Sequence, residues 1–183
     1  MKKNKEIILG VTGGISAYKS CDLLRFLQKE GFSVTVVMTK EAKKFITPLT
    51  FQTLSKNKVY LDMFEEDVDW NPKHISLAER TSLIIVAPAT ANFIGKLANG
   101  ICDDLLSCVC LASPAKIILC PAMNENMYKQ KIVQDNLSKI KSWGHEIVGP
   151  IKGALACGRN GIGHIAEFEK IIKVAKKISG EKE

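Results

Sequence analysis

Short apolar runs recur along this chain, each followed by a longer amphipathic stretch, and that alternation restricts the fold more than any other feature. Ile7-Ile8-Leu9-Gly10-Val11 is a continuous apolar run of strand length. A strand apolar on both faces is one buried from both sides. Ser16 to Glu30 follows as a helix, with Cys21, Leu23, Leu24, Phe26 and Leu27 in one stripe and Gly31 as its stop. Ser33 to Met38, Leu83 to Ala87 and Ile117 to Cys120 read as further strands, and Glu146 to Val148 as a fifth. Residues 103–111 and 131–142 are predicted helices between the later strands. Phe168, Ile171, Ile172, Ala175 and Ile178 fall on one face of a last helix. Strands alternating with helices predict an α/β fold, a Rossmann-like open parallel sheet with helices on both faces. Residues 55–73 are polar and irregular and read as a long excursion within a single domain over residues 1–183.

The bulk numbers agree with one globular domain, since 46% of 183 residues are apolar and 25% charged. The net charge of +7 favours anionic partners. The lysines are dispersed, however, and crowd only at the termini. No basic stripe is interleaved with aromatics, so nucleic-acid binding is not expected. The six cysteines form no Cys-x-x-Cys pair and no histidine stands at zinc-finger spacing, so no metal site is expected. Unpaired cysteines in apolar runs suit a reducing cytoplasmic setting. The N-terminal apolar run is too short for a signal peptide or a membrane span, and no membrane partner is expected.

In such a fold ligands bind beyond the carboxyl ends of the strands, and every chemically suggestive segment lies at one of those ends. Gly10-Val11-Thr12-Gly13-Gly14-Ile15-Ser16 closes the first strand. Its glycines would let a phosphate reach backbone N–H groups at a helix start, or would serve only a tight turn. It is neither Gly-x-Gly-x-x-Gly nor a triphosphate loop, so a smaller phosphorylated ligand is favoured. Thr39 could add a hydroxyl to that phosphate or cap residues 40–45. Ala87-Pro88-Ala89-Thr90-Ala91-Asn92-Phe93 offers small residues and hydrogen-bonding groups for a flat ring, or a loop and a helix cap. Asn124, in Pro121-Ala122-Met123-Asn124-Glu125-Asn126-Met127-Tyr128, could hold a carboxylate or carbonyl, or cap a helix. Gly153 to Gly163 reads as a glycine-rich flap carrying Cys157, or as a surface loop with an incidental thiol. His74, before Ile75-Ser76-Leu77, could act as acid or base near neutral pH, or be structural. His145 and His164 have no better claim by spacing.

Taken together, these segments resemble the homo-oligomeric flavin-containing Cys decarboxylases. The matching pieces are G-V-T-G-G-I-S-A-Y-K, His74 in H-I-S-L, A-P-A-T-A-N-F-I-G-K-L-A-N-G-I-C-D-D-L-L, P-A-M-N-E-N-M-Y and A-C-G-R-N-G-I-G. They run in family order over nearly the whole chain. The resemblance implies a flavodoxin-like flavoprotein with FMN as cofactor. It implies phosphate contacts along Gly13, Gly14, Ile15, Ser16 and Thr39, and ring contacts from Thr90, Ala91, Asn92 and Phe93. Pro88, Ala89, Ala122 and Met123 complete the implied cofactor set.

The implied catalytic residues are His74, Asn124 and Cys157. Asn124 would grip the carboxylate of a small phosphorylated, cysteine-containing substrate, His74 would assist at its thiol, and Cys157 would donate a proton in the reductive half. The resemblance further implies a homo-oligomer built from trimers, often dodecamers, with sites between subunits. Tyr128 stands where the family usually has Trp, and His164 where it usually has Arg. The second half carried by bifunctional members is expected on a separate protein. Within the family, a peptidyl-cysteine decarboxylase performing only the oxidative half is the nearest alternative, and Cys157 speaks against it. A flavin prenyltransferase is a further one. From another class, a flavin-binding regulatory subunit without turnover is the rival.

Overall fold

The computed structural model describes residues 6–64, 72–154, 158 and 160–180. Strands β1 (Glu6–Val11), β2 (Ser33–Met38), β3 (Val59–Tyr60), β4 (Leu83–Ala89), β5 (Lys116–Pro121) and β6 (Glu146–Ile147) form one sheet in the order β3-β2-β1-β4-β5-β6, every pair parallel. The chain builds outward from β1 through β2 to β3, then returns to the other side of β1 for β4. The order therefore reverses between β1 and β4, the switch point where such sheets leave a crevice.

Helices cover both faces. Ile7, Leu9, Val11, Val36, Leu83 and Ile85 pack with Leu23, Leu24 and Leu27 of α1 (Ser20–Lys29) and Ile171, Ile172 and Ala175 of α8 (Phe168–Ser179). Their alternates Ile8, Val37, Ile84, Val86, Ile117 and Leu119 face the other layer. There they meet Leu77 of α3 (Lys73–Arg80), Phe93, Ile94 and Leu97 of α4 (Ala91–Ala98), Leu105, Leu106 and Val109 of α5 (Leu105–Ala112), and Leu137 and Ile140 of α7 (Lys131–Ser142). The period-two split of consecutive β-residues between two layers is why the strands read as unbroken apolar runs. A Cβ on Gly10 would lie 2.7 Å from Leu106 Cδ1, so glycine there lets α5 close onto β1.

The predicted strands all form, and β2 and α7 match the predicted limits. The helix expected from Ser16 instead begins as a 3-10 turn, Ile15–Lys19, before α1 takes over. Gly14 is extended and its carbonyl accepts from Ala17 N–H, which tightens the first turn. Gly31 does stop α1, at φ 83°. The 55–73 excursion contains β3, a two-residue edge strand, and follows α2 (Pro48–Ser55), both too short to show a period. The described part of the glycine-rich segment is an antiparallel hairpin, β7 (Ile151–Ala154) with β8 (Asn160–His164). Cys110 and Cys120 are buried, and burial pushes both thiols well up from the ordinary value. Cys21 is pushed up to about 11, chiefly by burial and then by Asp22. Among the described residues no helix is long and apolar enough to cross a membrane.

His145 joins the last strands to the body, since its Nδ1 accepts from Ile117 N–H at 3.3 Å. That bond needs an unprotonated nitrogen. Burial first, and then Lys116, lowers the pKa of His145 below the histidine value of 6.5. The unfolded chain therefore takes up the proton first on acidification. The contribution of His145 to stability is full above the unfolded value and is lost as pH falls from there through the lower folded value. Denaturant titrations across that window should show stability falling with acid. His145→Gln should flatten this part of the profile, and an unchanged slope would show that His145 does not cause it.

Candidate functional site

A cavity of about 680 Å³ opens at the switch point, within the size range of cofactor sites. Four segments build it, and each follows a parallel strand. The turn after β1 contributes Thr12 to Ser16, Tyr18 and Lys19, and the turn after β2 contributes Thr39 and Glu41. Thr90 to Phe93 come from the start of α4, and Ala122, Met123 and Asn124 from the end of β5. Asp104, Met127, Gly163 and His164 complete the lining.

Thr12 ties the two sides of the crevice together. Its buried hydroxyl donates to Pro88 O at 2.7 Å and accepts from Thr90 N–H at 3.1 Å. Behind it, the buried Ser20 hydroxyl donates to Ala87 O at 2.6 Å. A Cβ on Gly13 would lie 2.3 Å from Glu41 Cβ. Only glycine lets the β1 and β2 turns approach that closely at the cavity floor.

The polar candidates are caps and cavity walls at once. Thr90 Oγ1 accepts from Phe93 N–H at 3.3 Å, and Thr39 Oγ1 from Ala42 N–H at 3.4 Å. Asn124 Oδ1 accepts from Asn126 N–H at 2.9 Å at the start of α6 (Glu125–Lys129). The cap uses the carbonyl end of that amide and leaves its N–H pair for a ligand. Asp104 caps α5 through Ser107 N–H at 2.8 Å and pairs with Lys96 at 2.9 Å, while Asp103 meets the same lysine at 2.6 Å. Burial alone would lower the Lys96 pKa, but the hydrogen bonds and charges of Asp103 and Asp104 outweigh it and raise it.

The hairpin reaches the cavity through its last residues. Met123 N–H donates to Gly163 O at 3.1 Å, which joins β8 to the Asn124 wall. Next to it, His164 Nδ1 lies 3.0 Å from Ile165 O and Nε2 lies 2.8 Å from Lys19 Nζ. A carbonyl can only accept, so Nδ1 carries the proton and Nε2 accepts from the lysine.

Of the cofactor candidates, Gly13, Gly14, Ile15, Ser16, Thr39, Thr90, Ala91, Asn92, Phe93, Ala122 and Met123 line one cavity, and Asn124 joins them. Pro88 and Ala89 are buried within β4 behind that wall. His74 sits half-buried on α3, away from the lining. Cys157 lies outside the described residues. Tyr128 packs against the second core layer rather than the cavity, whereas His164 does line it. Sequence reasoning passed over Thr12, Tyr18, Lys19, Asp104, Met127 and Gly163 as site residues, although all lie within or beside the quoted motifs. Glu41 carried no signal at all, because its place is set by the packing of β2 against β1.

The glycine turn and the apolar wall of Ala91, Phe93 and Ala122 fit the phosphate and ring of a flavin. Gly13→Ala should therefore leave a folded protein, by circular dichroism, that purifies with much less flavin. Gly95→Ala is the control, since a Cβ there meets only Asn136 at 3.9 Å and suits a helix interior. Full flavin content in Gly13→Ala would show that the close approach to Glu41 is not needed for binding.

Comparison with known proteins agrees with this geometry. Residues 1–179 match the family model described as Flavoprotein. The chain is 46% identical over 177 residues to the coenzyme A biosynthesis bifunctional protein CoaBC of Bacillus subtilis, covering 97% of this chain and 44% of that protein. It thus spans less than half the length of the bifunctional relatives it matches. A probable phosphopantothenoylcysteine decarboxylase of Streptococcus mutans is 43% identical over 171 residues, covering 92% of this chain and 96% of that one. Among solved structures, a cysteine-to-serine variant of PPC decarboxylase complexed with pantothenoylaminoethenethiol superposes with a TM-score of 0.85 at 27% identity, over 97% of this chain and all of that one. The FMN-dependent cysteine decarboxylase SpaF superposes at 0.86 and 25% identity, over 97% of this chain and 98% of that one. With the family match running through nearly every element that walls the cavity, the chain belongs to the flavoprotein family.

Proposed function

We propose that the chain is an FMN-dependent decarboxylase that converts phosphopantothenoylcysteine to phosphopantetheine on the route to coenzyme A. The observation that carries this reading is the placement of Asn124. Its carboxamide is held by its own cap in the lining of a cavity that the glycine turn also lines. The similarity to the Streptococcus mutans protein over almost its whole length supports the substrate. The similar cysteine decarboxylase SpaF is FMN-dependent, and a single phosphate cradle without a second nucleotide motif supports FMN here as well.

Loss of CO2 directly from a cysteine would leave an unstabilised carbanion. A flavin held between the glycine turn and the Thr90–Phe93 and Ala122–Met123 segments would supply a reversible two-electron acceptor for the substrate thiol, which would give the departing CO2 an electron sink. The chain's own groups supply the rest. The Asn124 N–H pair holds the substrate carboxylate. Apolar Phe93, Ala91, Ala122 and Met123 exclude water around the reacting carbon. Cys157 gives the proton to carbon in the second half. His74, which is not among the residues lining the cavity of its own chain, serves the thiol in a neighbouring subunit's site. Ile15, Tyr18 and Met127 at the cavity are about half exposed in one chain (55%, 55% and 48%). A second subunit there would cover them, which supports a homo-oligomer; assembly from trimers is what the family resemblance implies.

The product's mass tests the reading. Loss of CO2 alone from phosphopantothenoylcysteine means the full cycle. Loss of CO2 plus two hydrogens would mean the oxidative half only, as in a peptidyl-cysteine decarboxylase. No turnover would leave a flavin-binding protein without this activity. Cys157→Ser should oxidise and decarboxylate, then stall with the ene-thiol product and reduced flavin, because a serine hydroxyl is a far weaker acid than a thiol of pKa about 8.5. Normal phosphopantetheine at near the unaltered rate would remove Cys157 from the mechanism. Mixing His74→Asn with Asn124→Ala chains should restore part of the activity, whereas a fully active monomer by light scattering would refute shared sites.

A further inference from the structure

The turn that leads into α5 brings two cysteines together. Asp104 caps the helix through Ser107 N–H, and the Ser107 hydroxyl in turn accepts from Asp104 N–H at 3.3 Å. This reciprocal cap folds the entering chain back over the first helical turn. The Cys108 thiol donates to Cys102 O at 3.3 Å, and Cys102 Sγ lies 3.9 Å from Ser107 O, the carbonyl just ahead of Cys108. Each sulfur thus rests against a peptide group that adjoins the other cysteine, and the two thiols are themselves hydrogen-bonding neighbours. Both are free and partly exposed. Ile101 and the Asp103 side chain, on either side of Cys102, are open to solvent at 48% and 59%. Cys110 and Cys120 are closed within the core instead, and Cys21 packs against the opposite layer. Neither Cys102 nor Cys108 lines the cavity, so the decarboxylase reading makes no use of them.

We propose that Cys102 and Cys108 are a reversible dithiol–disulfide couple, a modification site that small-molecule disulfides oxidise and small thiols restore. The Cys102 thiolate attacks one sulfur of the small disulfide, whose S–S bond breaks, and one thiolate leaves. Cys108 then attacks Cys102 Sγ in the mixed disulfide, and the second thiolate leaves. Two protein thiols are oxidised to one disulfide, the small disulfide is reduced to two thiols, and the two protons lost by the protein end on those thiols.

The order of the two attacks follows from the surroundings. Burial first, and then Cys102, raises the Cys108 pKa, which makes Cys108 a slow attacker on a molecule in solution. Its attack on a sulfur already held beside it needs no diffusional encounter. Cys102 stands on the more open loop and meets the oxidant first. The bridge closes a ring over residues 102–108 that contains Asp103 and Asp104. Those carboxylates hold Lys96, and Asp104 lines the cavity. Oxidation therefore braces that wall from behind, and it keeps both sulfurs from the irreversible sulfinic and sulfonic states.

The test is intact-mass spectrometry of the flavin-loaded protein, equilibrated with oxidised and reduced glutathione in stepped ratios and quenched with acid and an alkylating agent. The unaltered protein should lose two hydrogens and two alkylatable thiols together as the ratio becomes more oxidising, and dithiothreitol should restore both. Fragmentation of the bridged peptide should place the bond between Cys102 and Cys108, and Cys110→Ala should still form it. Cys108→Ser should stop at a glutathione adduct on Cys102. Cys102→Ser should form no bridge and take up glutathione at Cys108 severalfold more slowly. An unchanged mass at the most oxidising ratio, glutathione adducts without a bridge in the unaltered protein, or a bridge that maps to any other pair would overturn the proposal. So would a loss of two hydrogens that persists in Cys102→Ser or Cys108→Ser. The mass change and the fragment map come from the unaltered protein, so the outcome stands even where a variant fails to fold.

Discussion

Everything at the cavity depends on the hydroxyl of Thr12. Strands β1 and β4 are neighbours along their length, but beyond their carboxyl ends the two chains diverge, one toward α1 and the other toward α4. The divergence makes the crevice, and it also leaves backbone groups at the strand ends without ladder partners. Thr12 satisfies two of them from a single buried oxygen, donating to Pro88 O and accepting from Thr90 N–H. A buried donor or acceptor left unpaired costs about 1–3 kcal/mol. The crevice is therefore held open at a fixed width by a bond that also sets where α4 begins. The Ser20 bond to Ala87 O repeats the device one turn deeper.

The double use of capping residues follows from the same topology. A parallel sheet sends each strand into a helix at the same edge, so the helix starts gather around the crevice. Thr39, Thr90 and Asn124 each hold the first turn of a helix or 3-10 segment with one side-chain oxygen. The bond fixes the rotamer, and the fixed rotamer presents whatever hydrogen-bonding capacity remains to the cavity. Asn124 makes the clearest case, because an amide has two ends and the cap occupies only one. The structural and the functional accounts of these residues are thus not competitors.

Much of this was legible in the residues, and the reasons for the remainder are physical. Unbroken apolar runs such as Ile7–Val11 announce strands buried on both faces, and α8 announces itself by its stripe. β3 and α2 are short and take their places from contacts with β2 and α1 that no local period encodes. Glu41 enters the cavity floor only because Gly13 admits it, a contact between turns 28 positions apart in sequence. The Lys19–His164 bond spans |i−j| = 145 and joins a turn to a hairpin. Pairing at such range is settled by tertiary packing, and spacing rules, which see only neighbours, pass over it. Tyr128 is the converse case, an aromatic within the P-A-M-N-E-N-M-Y stretch that packs against a core layer.

The full or partial burial of four of the chain's thiols has a chemical consequence. Attack on an electrophilic carbon or on a disulfide is made by thiolate, not by thiol. Cys21, Cys108, Cys110 and Cys120 all have their pKa raised, with burial the largest cause in each. At neutral pH these four side chains stay protonated, and two of them are also closed off from solvent within the core. A smaller thiolate fraction slows their attack on electrophiles and their disulfide exchange with small molecules. The packing that stabilises the sheet thereby also lowers the reactivity of these cysteines.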